Sequence, residues 1–254
     1  MAEQFDVTIE KMTIPAPDHV EMILGSTALS KATPGQYAHI LTPGTLRRPI
    51  SFSRLNPATH TAAILFQVIG AGTAWLATRK VGDLINVMGP LGKGFDRPLE
   101  GRPWCLVGGG VGIPPLYAAV QRWHEAAPAT VILGARNEAL LLMEKDFDAL
   151  GVPVSVATDD GSRGFAGSVM EPLREWLHTN PEGQVYACGP TPMLRAVAAE
   201  VRGRPAWLAL EQRMGCGIGA CLACVVPVHG GNYGGPYERV CTEGPVFAAD
   251  HLQW

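Results

Sequence analysis

The hydrophobic positions of the chain change rhythm twice. From Phe5 to about Asp96 they fall in short runs, 7–9, 20–24, 37–41, 50–52, 63–69 and 84–88, with Gly or Pro between most of them. Runs of this length read as strands, and six at this spacing predict a small antiparallel barrel. One helix interrupts them over 74–80, with Thr73 as its candidate cap. After Arg102-Pro103 the rhythm becomes strand, loop, helix. Strands are predicted over 104–107, 130–133, 154–157, 185–187 and 207–210, alternating with helices over 114–127, 143–150, 169–177 and 193–201. That alternation implies a parallel sheet with covered faces. Beyond Glu211 the chain is Gly- and Cys-rich with no long apolar period, so the tail is expected to need something other than a core to fold it. The predicted class is β + α/β, with an antiparallel barrel over 1–98, a parallel-sheet α/β domain over 99–210 and a small subdomain over 211–254. No internal repeat or low-complexity segment is visible.

A chain of 254 residues suits two domains and an appendage. Apolar residues make up 47% and charged residues 17%, yet no apolar run nears the roughly 20 residues that cross a bilayer, so no membrane contact is expected. The net charge is −3 with no basic stripe, so nucleic acid is not an expected partner. The start, Met1-Ala2-Glu3-Gln4-Phe5-Asp6, is acidic where an export signal is basic and then apolar, and a cytoplasmic location is the expectation. Thirty glycines and 21 prolines imply many tight turns and close backbone approaches.

Six cysteines narrow the chemistry. Cys105 and Cys188 stand alone, whereas the tail reads Cys216-x4-Cys221-x2-Cys224-x16-Cys241. With no export signal, such crowding reads as a metal or redox centre sooner than as a disulfide framework. The spacing matches plant-type [2Fe–2S] ligation. Gly215, Gly217 and Gly219, interleaved with the first cysteines, let the chain wrap closely and point amides at sulfur. The alternative is structural zinc, which usually shows paired C-x2-C knuckles.

Three further motifs suit nucleotides. Gly108-Gly109-Gly110-Val111-Gly112-Ile113-Pro114-Pro115 sits between a strand and a helix, where glycines admit a pyrophosphate to the helix start and proline is tolerated in the first turn. It departs from G-x-G-x-x-G, since Ile113 holds the sixth position, and a purely structural turn is its alternative. Cys188-Gly189-Pro190-Thr191-Pro192-Met193 again links strand to helix, and the carboxyl ends of parallel strands form a ligand crevice, so both loops should line one cleft. Cys188 is either a site residue or a buried inert thiol, while Cys105 reads as core. In the barrel, Arg47-Arg48-Pro49-Ile50-Ser51-Phe52 and Gly70-Ala71-Gly72-Thr73 suit a phosphate-bearing cofactor. An arginine pair is otherwise a solvated surface feature. Asp159-Asp160 follows a strand end and can accept ribose hydroxyls; solvated turn residues are the alternative, and Arg163 nearby could instead pair with a 2′-phosphate. No two histidines stand at metal-ligand spacing, and His39 and His178 read as structural or capping.

Taken in order with Gly89-Pro90-Leu91-Gly92-Lys93-Gly94-Phe95, these motifs resemble the ferredoxin reductase superfamily, which pairs a flavin-binding barrel with a nicotinamide-binding α/β domain. The tail, above all Arg213-Met214-Gly215-Cys216-Gly217-Ile218-Gly219-Ala220-Cys221, is similar to one branch, the electron transfer subunits of type B dihydroorotate dehydrogenases. The resemblance implies an FAD seat at Arg48, Pro49, Ile50 and Ser51, with Gly70, Gly72 and Thr73 at its pyrophosphate. It implies an NAD seat at Gly108, Gly109, Gly110, Gly112, Gly189 and Pro190, with Asp159 at the ribose and Cys188 as the catalytic residue beside the reacting ring. Cys216, Cys221, Cys224 and Cys241 would ligate the cluster. It implies an oxidoreductase subunit in pyrimidine biosynthesis that takes electrons from an FMN-containing catalytic dehydrogenase subunit, assembled as a heterotetramer of two of each. A sulfide dehydrogenase or ferredoxin-dependent transhydrogenase partner is the alternative, and a cofactor-free interaction module is a third reading. The cofactor set has its own logic. A [2Fe–2S] cluster passes single electrons, NAD takes a hydride, and a flavin can stand between them.

Overall fold

A computed structural model describes residues 3–44, 46–231 and 235–254. The six predicted strands form β1 (Gln4–Ala16), β2 (His19–Gly25), β3 (Tyr37–Ile40), β4 (Arg48–Asn56), β5 (Thr61–Gln67) and β6 (Leu84–Leu91), closed into an antiparallel barrel in the order β1-β2-β5-β4-β3-β6. Strand β6 makes the logic visible, because Ile85, Val87, Gly89 and Leu91 are buried while the residues between them are not. That period of two points alternate side chains into the barrel.

A short helix, α1 (Thr27–Ser30), is capped by Ser26, whose hydroxyl accepts the Leu29 N–H at 3.3 Å; its four residues are too few to carry a helical period. The barrel's main helix, α2 (Ala71–Ala77), corrects the sequence reading. Its cap is Gly70, and Thr73 stands in the first turn, reaching back so that its hydroxyl accepts the N–H of Ile69 at 3.0 Å and of Gly70 at 3.2 Å. Glycine is an acceptable cap, and a hydroxyl three residues later can satisfy the orphan donors instead.

The second domain alternates β7 (Trp104–Gly109), α3 (Ile113–Trp123), β8 (Ala129–Ala135), α4 (Glu144–Ala149), β9 (Val154–Thr158), β10 (Phe165–Ala166), α5 (Met170–Thr179), β11 (Gln184–Cys188), α6 (Thr191–Glu200) and β12 (Ala206–Ala209). The strands pair in parallel in the order β10-β9-β8-β7-β11-β12. Every residue of the central β7 is buried, as a strand covered on both faces requires. Helix α3 stops short of the predicted 127, consistent with Pro128 disfavouring helical backbone just before it.

The tail departs most from expectation. It forms a hairpin, β13 (Val225–Pro227) with β14 (Tyr237–Arg239), and then β15 (Val246–Ala248), which pairs antiparallel with β12 and completes the sheet. Val226, Val228, Val240, Phe247 and Leu252 are buried in the same apolar cluster as Val107, Val185 and Leu208. The expectation of a coreless tail is therefore wrong beyond the first cysteines; its apolar residues are too scattered to read as a period because they pack on the sheet and not on one another.

Several contacts fix barrel against the second domain, among them two side-chain clusters. Phe95 stacks on Tyr186 with centroids 5.2 Å apart, and the Tyr186 hydroxyl donates to the Asp96 carbonyl at 2.7 Å. Arg54 of β4 reaches Glu21 and Asp146, each at 2.8 Å, with its guanidinium 4.7 Å from the Tyr117 ring centroid.

Candidate functional site: one cleft and a cysteine loop

A single cavity of about 1260 Å³ runs from the barrel to the carboxyl ends of the sheet strands. On the barrel side its wall includes Arg48, Pro49, Ile50 and Ser51 of β4, with Gly70 and Thr73 at the start of α2. Gly72 lies behind this wall. A Cβ there would strike the Arg48 guanidinium, whose Nη1 donates to the Leu46 carbonyl at 2.9 Å. Glycine at 72 thus lets arginine 48 lie against the helix. Gly70 has no atom within 4 Å of its would-be Cβ, leaving its backbone open to a ligand.

On the sheet side the cavity meets Gly109, Gly110 and Gly112 at the carboxyl end of β7, and Cys188, Gly189 and Pro190 at that of β11. Neighbouring parallel strands bring both turns together, with Cys188 in register with Gly108. A Cβ on Gly112 would collide with the Cys188 carbonyl, so the turns touch backbone to backbone. Gly108 is buried, and a Cβ there would come 2.8 Å from Ile113; it serves the packing of α3 on the sheet and is not in the cavity wall.

Burial of the Cys188 sulfur, followed by the Glu211 carboxylate, pushes its thiol up to about 12. It is therefore a neutral thiol at pH 7. Asp159 lines the cavity. Asp160 does not; its carboxylate accepts the backbone N–H of Ser162 at 2.9 Å and the Ser162 hydroxyl at 2.6 Å, a turn contact that lowers its pKa. Arg163 is engaged with Glu144 at 2.8 Å and lies outside the wall.

Arg136, Glu211 and Arg213 line the cavity as well, and the sequence reading assigns none of them to a nucleotide site. The available signal was their place directly beyond β8 and β12, where parallel strands end on a ligand crevice.

The cysteine loop packs on β3, the strand beside β4 of the cavity wall, with Gly217 against the His39 ring. Backbone N–H contacts to sulfur link the loop's cysteines in two pairs. The Cys221 N–H donates to Cys216 Sγ at 3.4 Å, and the Cys241 N–H to Cys224 Sγ at 3.4 Å. Among the described residues no three His, Cys, Asp or Glu side chains converge on one point as a mononuclear site needs. Two pairs suit the division of four thiolates between two irons. Partial burial opposes ionisation of Cys216, but N–H groups of Ile218, Cys221 and Ala220 outweigh it and bring the thiol down to about 6. The turn that aims those amides needs left-handed backbone at Gly217, φ +72°, and Gly219, φ +80°, which glycine adopts without strain. Arg239 braces the loop, donating to the Gly219 carbonyl at 2.9 Å and to Glu243 at 2.6 Å. Cys224 and Cys241 are buried whereas Cys221 is exposed, so the donor set has one face in the core and one at the surface.

Two side chains of β3 meet this loop. The Tyr37 hydroxyl donates to the Cys241 carbonyl at 3.1 Å. His39 is fully buried against Gly217, and neither ring nitrogen has a hydrogen-bond partner among the described residues. Burial, then Arg47, lowers its pKa to about 4, so the ring is neutral. The sequence reading treats His39 as structural; an unpaired buried imidazole is a different finding.

Comparison with known proteins agrees with this layout. Residues 211–253 match the iron–sulfur cluster binding domain of dihydroorotate dehydrogenase B, and residues 106–199 match an oxidoreductase NAD-binding domain. The chain is 41% identical over 255 residues to the dihydroorotate dehydrogenase B (NAD(+)) electron transfer subunit of Shouchella clausii (strain KSM-K16), covering 96% of each. With the Desulforamulus reducens (strain ATCC BAA-1160 / DSM 100696 / MI-1) protein of that name it shares 36% over 263 residues, covering all of both. Among solved structures, a chain of the NADH-dependent reduced ferredoxin–NADP oxidoreductase superposes with a TM-score of 0.85 at 31% identity, over 98% of this chain and 90% of that one. The ferredoxin reductase of carbazole 1,9a-dioxygenase superposes at 0.68 and 25%, over 79% and 64%.

Proposed function

The chain belongs to the family of dihydroorotate dehydrogenase B electron transfer subunits, and from that premise we propose that it takes single electrons at the cysteine loop and delivers a hydride to NAD+ in the cleft, with FAD between. The observation that carries this reading is the spatial order of the seats. The cysteine loop packs on β3, β3 pairs with β4, and β4 walls a cavity whose other side holds the Gly-rich and Cys188 turns. When bound, FAD supplies the conversion between one-electron and two-electron transfer.

The chain's own residues do the rest. Arg48 and Ser51 hold the flavin side of FAD, with Gly70 and Thr73 at its phosphates and Gly72 giving Arg48 room. Gly109, Gly110, Gly112, Gly189 and Pro190 cradle NAD, since α3 and α6 start there and unpaired backbone N–H groups at helix starts favour phosphate. Asp159 takes the ribose hydroxyls. Cys188 borders the reacting ring as a protonated thiol, a positioning contact and not a nucleophile. In this reading residues 1–98, 99–210 and 211–254 are the flavin, nucleotide and cluster units. The partner is an FMN-bearing catalytic dehydrogenase, two copies of each chain assembling in the cytoplasm. Exposed Ile218 and Leu222 beside the exposed Cys221 support a partner covering that face.

The close superposition on the NADH-dependent reduced ferredoxin–NADP oxidoreductase favours one second reading, the same relay serving a different dehydrogenase. Co-purification decides between them. The chain alone, prepared anaerobically, should show flavin and iron–sulfur absorbance and reduce artificial dyes with NADH, while dihydroorotate is oxidised only after an FMN-bearing partner is added. A colourless chain would refute the relay, and dihydroorotate oxidation by the chain alone would refute the division of labour.

A further inference from the structure

Among the described residues, His39 is a fully buried polar side chain beside the cysteine loop with no hydrogen-bond partner. Its exposure is 0%, and Nδ1 and Nε2 both lack partners among the described residues. A buried donor left unpaired is destabilising, and folded chains pair such groups with protein, water or a ligand.

The surroundings indicate the direction of the missing partner. A Cβ on Gly217 would strike Nδ1, and the backbone there is left-handed at φ +72°. The loop is thus shaped so that a residue without a side chain faces the ring, immediately after Cys216. Amides of Ala220 and Cys221 already converge on the Cys216 sulfur. Tyr37, two residues earlier and on the same face of β3, meets the other end of the donor set through the Cys241 carbonyl, and its ring lies edge-on to His39 with centroids 6.4 Å apart. Beside His39, on the neighbouring strand, its register partner is Pro49 of the flavin wall. The imidazole therefore meets the cluster loop from the strand next to the flavin strand.

We propose that His39 is a positioning residue for the iron–sulfur group, its ring N–H donating to a sulfur on the Cys216 side and so raising the potential at which the group accepts an electron. The inference rests on the cluster reading above. Its physical basis is that reduction adds negative charge to the sulfurs, and a donor aimed at them stabilises the reduced state more than the oxidised one.

The test uses the anaerobically purified full chain. Iron and acid-labile sulfide are measured first; a wild-type chain without them removes the cluster reading, and this inference with it. With the cluster present, EPR-monitored redox titration compares wild type, His39→Leu and His39→Gln. The leucine variant should reduce about tenfold less readily, equivalent to about 59 mV for one electron, with the flavin midpoint unmoved. Glutamine, which keeps an N–H, should recover at least half of that shift. Should both variants fail to fold, wild type grown on 15N-histidine still decides: the reduced cluster should show a weak 15N coupling in pulsed EPR. A wild-type midpoint in a fully loaded His39→Leu chain, or no 15N coupling in labelled wild type, overturns the proposal.

Discussion

Replacing Gly112 by alanine adds one methyl group where the two nucleotide turns touch. The backbone at Gly112 has φ −80° and ψ −13°, which alanine adopts freely, so the perturbation is steric alone. The new Cβ would overlap the Cys188 carbonyl and lie 2.6 Å from the Gly189 nitrogen, against about 3.5 Å or more for an unstrained contact. Neither neighbour is a side chain that can turn away. Cys188 is in ladder register with Gly108, and Pro190 caps α6. The turns must therefore part by about 1 Å, and overpacking of this kind costs about 1–3 kcal/mol. Lost from transition-state binding, that is a fall of about five- to 150-fold in kcat/KM for NADH, at about 1.4 kcal/mol per tenfold. Steady-state dye reduction by NADH reads it, with flavin and iron content as controls that should not change. Gly70→Ala is the counterpart. Its backbone is extended and its surroundings open, so the fold should be unaffected and any loss should fall on FAD retention. A Gly112→Ala chain with kcat/KM within twofold of wild type would refute the close apposition of the turns.

Three other outcomes are expected. Cys221→Ala should abolish the iron–sulfur absorbance, and hydrogen exchange should find the loosening confined near residues 215–222, because Cys224 and Cys241 sit in the shared core; unchanged iron and sulfide would refute the ligand assignment. NADH should outperform NADPH, since Asp159 lines the cleft while Arg163 is held by Glu144, and Asp159→Asn should narrow the ratio by about tenfold; a ratio that does not move removes Asp159 from the ribose. Arg54→Met should lower stability to urea by about 3 kcal/mol, because it strands Glu21, only 13% exposed, without its cation. Adding Glu21→Gln should restore part of that loss, and an Arg54→Met chain as stable as wild type would exclude the guanidinium as a strut between the domains.

The period-two runs and the strand–helix alternation were enough to read both domains from the sequence, because local sterics and burial on one face determine them. The iron–sulfur character of the tail was equally legible, since three of its cysteines crowd within nine residues and residues 211–253 match a cluster-binding domain. Long-range partners were not. Val246 to Ala248 is too short a run to announce a strand, and only pairing with β12 makes it one. Gly72 and Gly108 look like phosphate glycines in the sequence, yet their missing Cβ atoms make room for Arg48 and Ile113. The state of His39 was invisible because an imidazole's partners are decided by which loop folds over it, not by its neighbours in the chain.

The pairing of β12 with β15 bears on how the protein is made. Residues 210–245 leave the sheet at one strand and return at the very next one, so the cysteine loop is an excursion whose two ends are already stitched together. The strand pairing that closes the excursion is made by backbone outside the cysteine loop, so the donor set is framed at both ends by the sheet. The stitch is synthesised only after all four cysteines of the loop. Until Val246 emerges, β12 has an open edge, and an unpaired edge is a template for wrong partners. Chains truncated before Val246 should therefore aggregate even when every cysteine is present, and the vulnerable interval in synthesis lies between the completion of the donor set and the arrival of the strand that locks it.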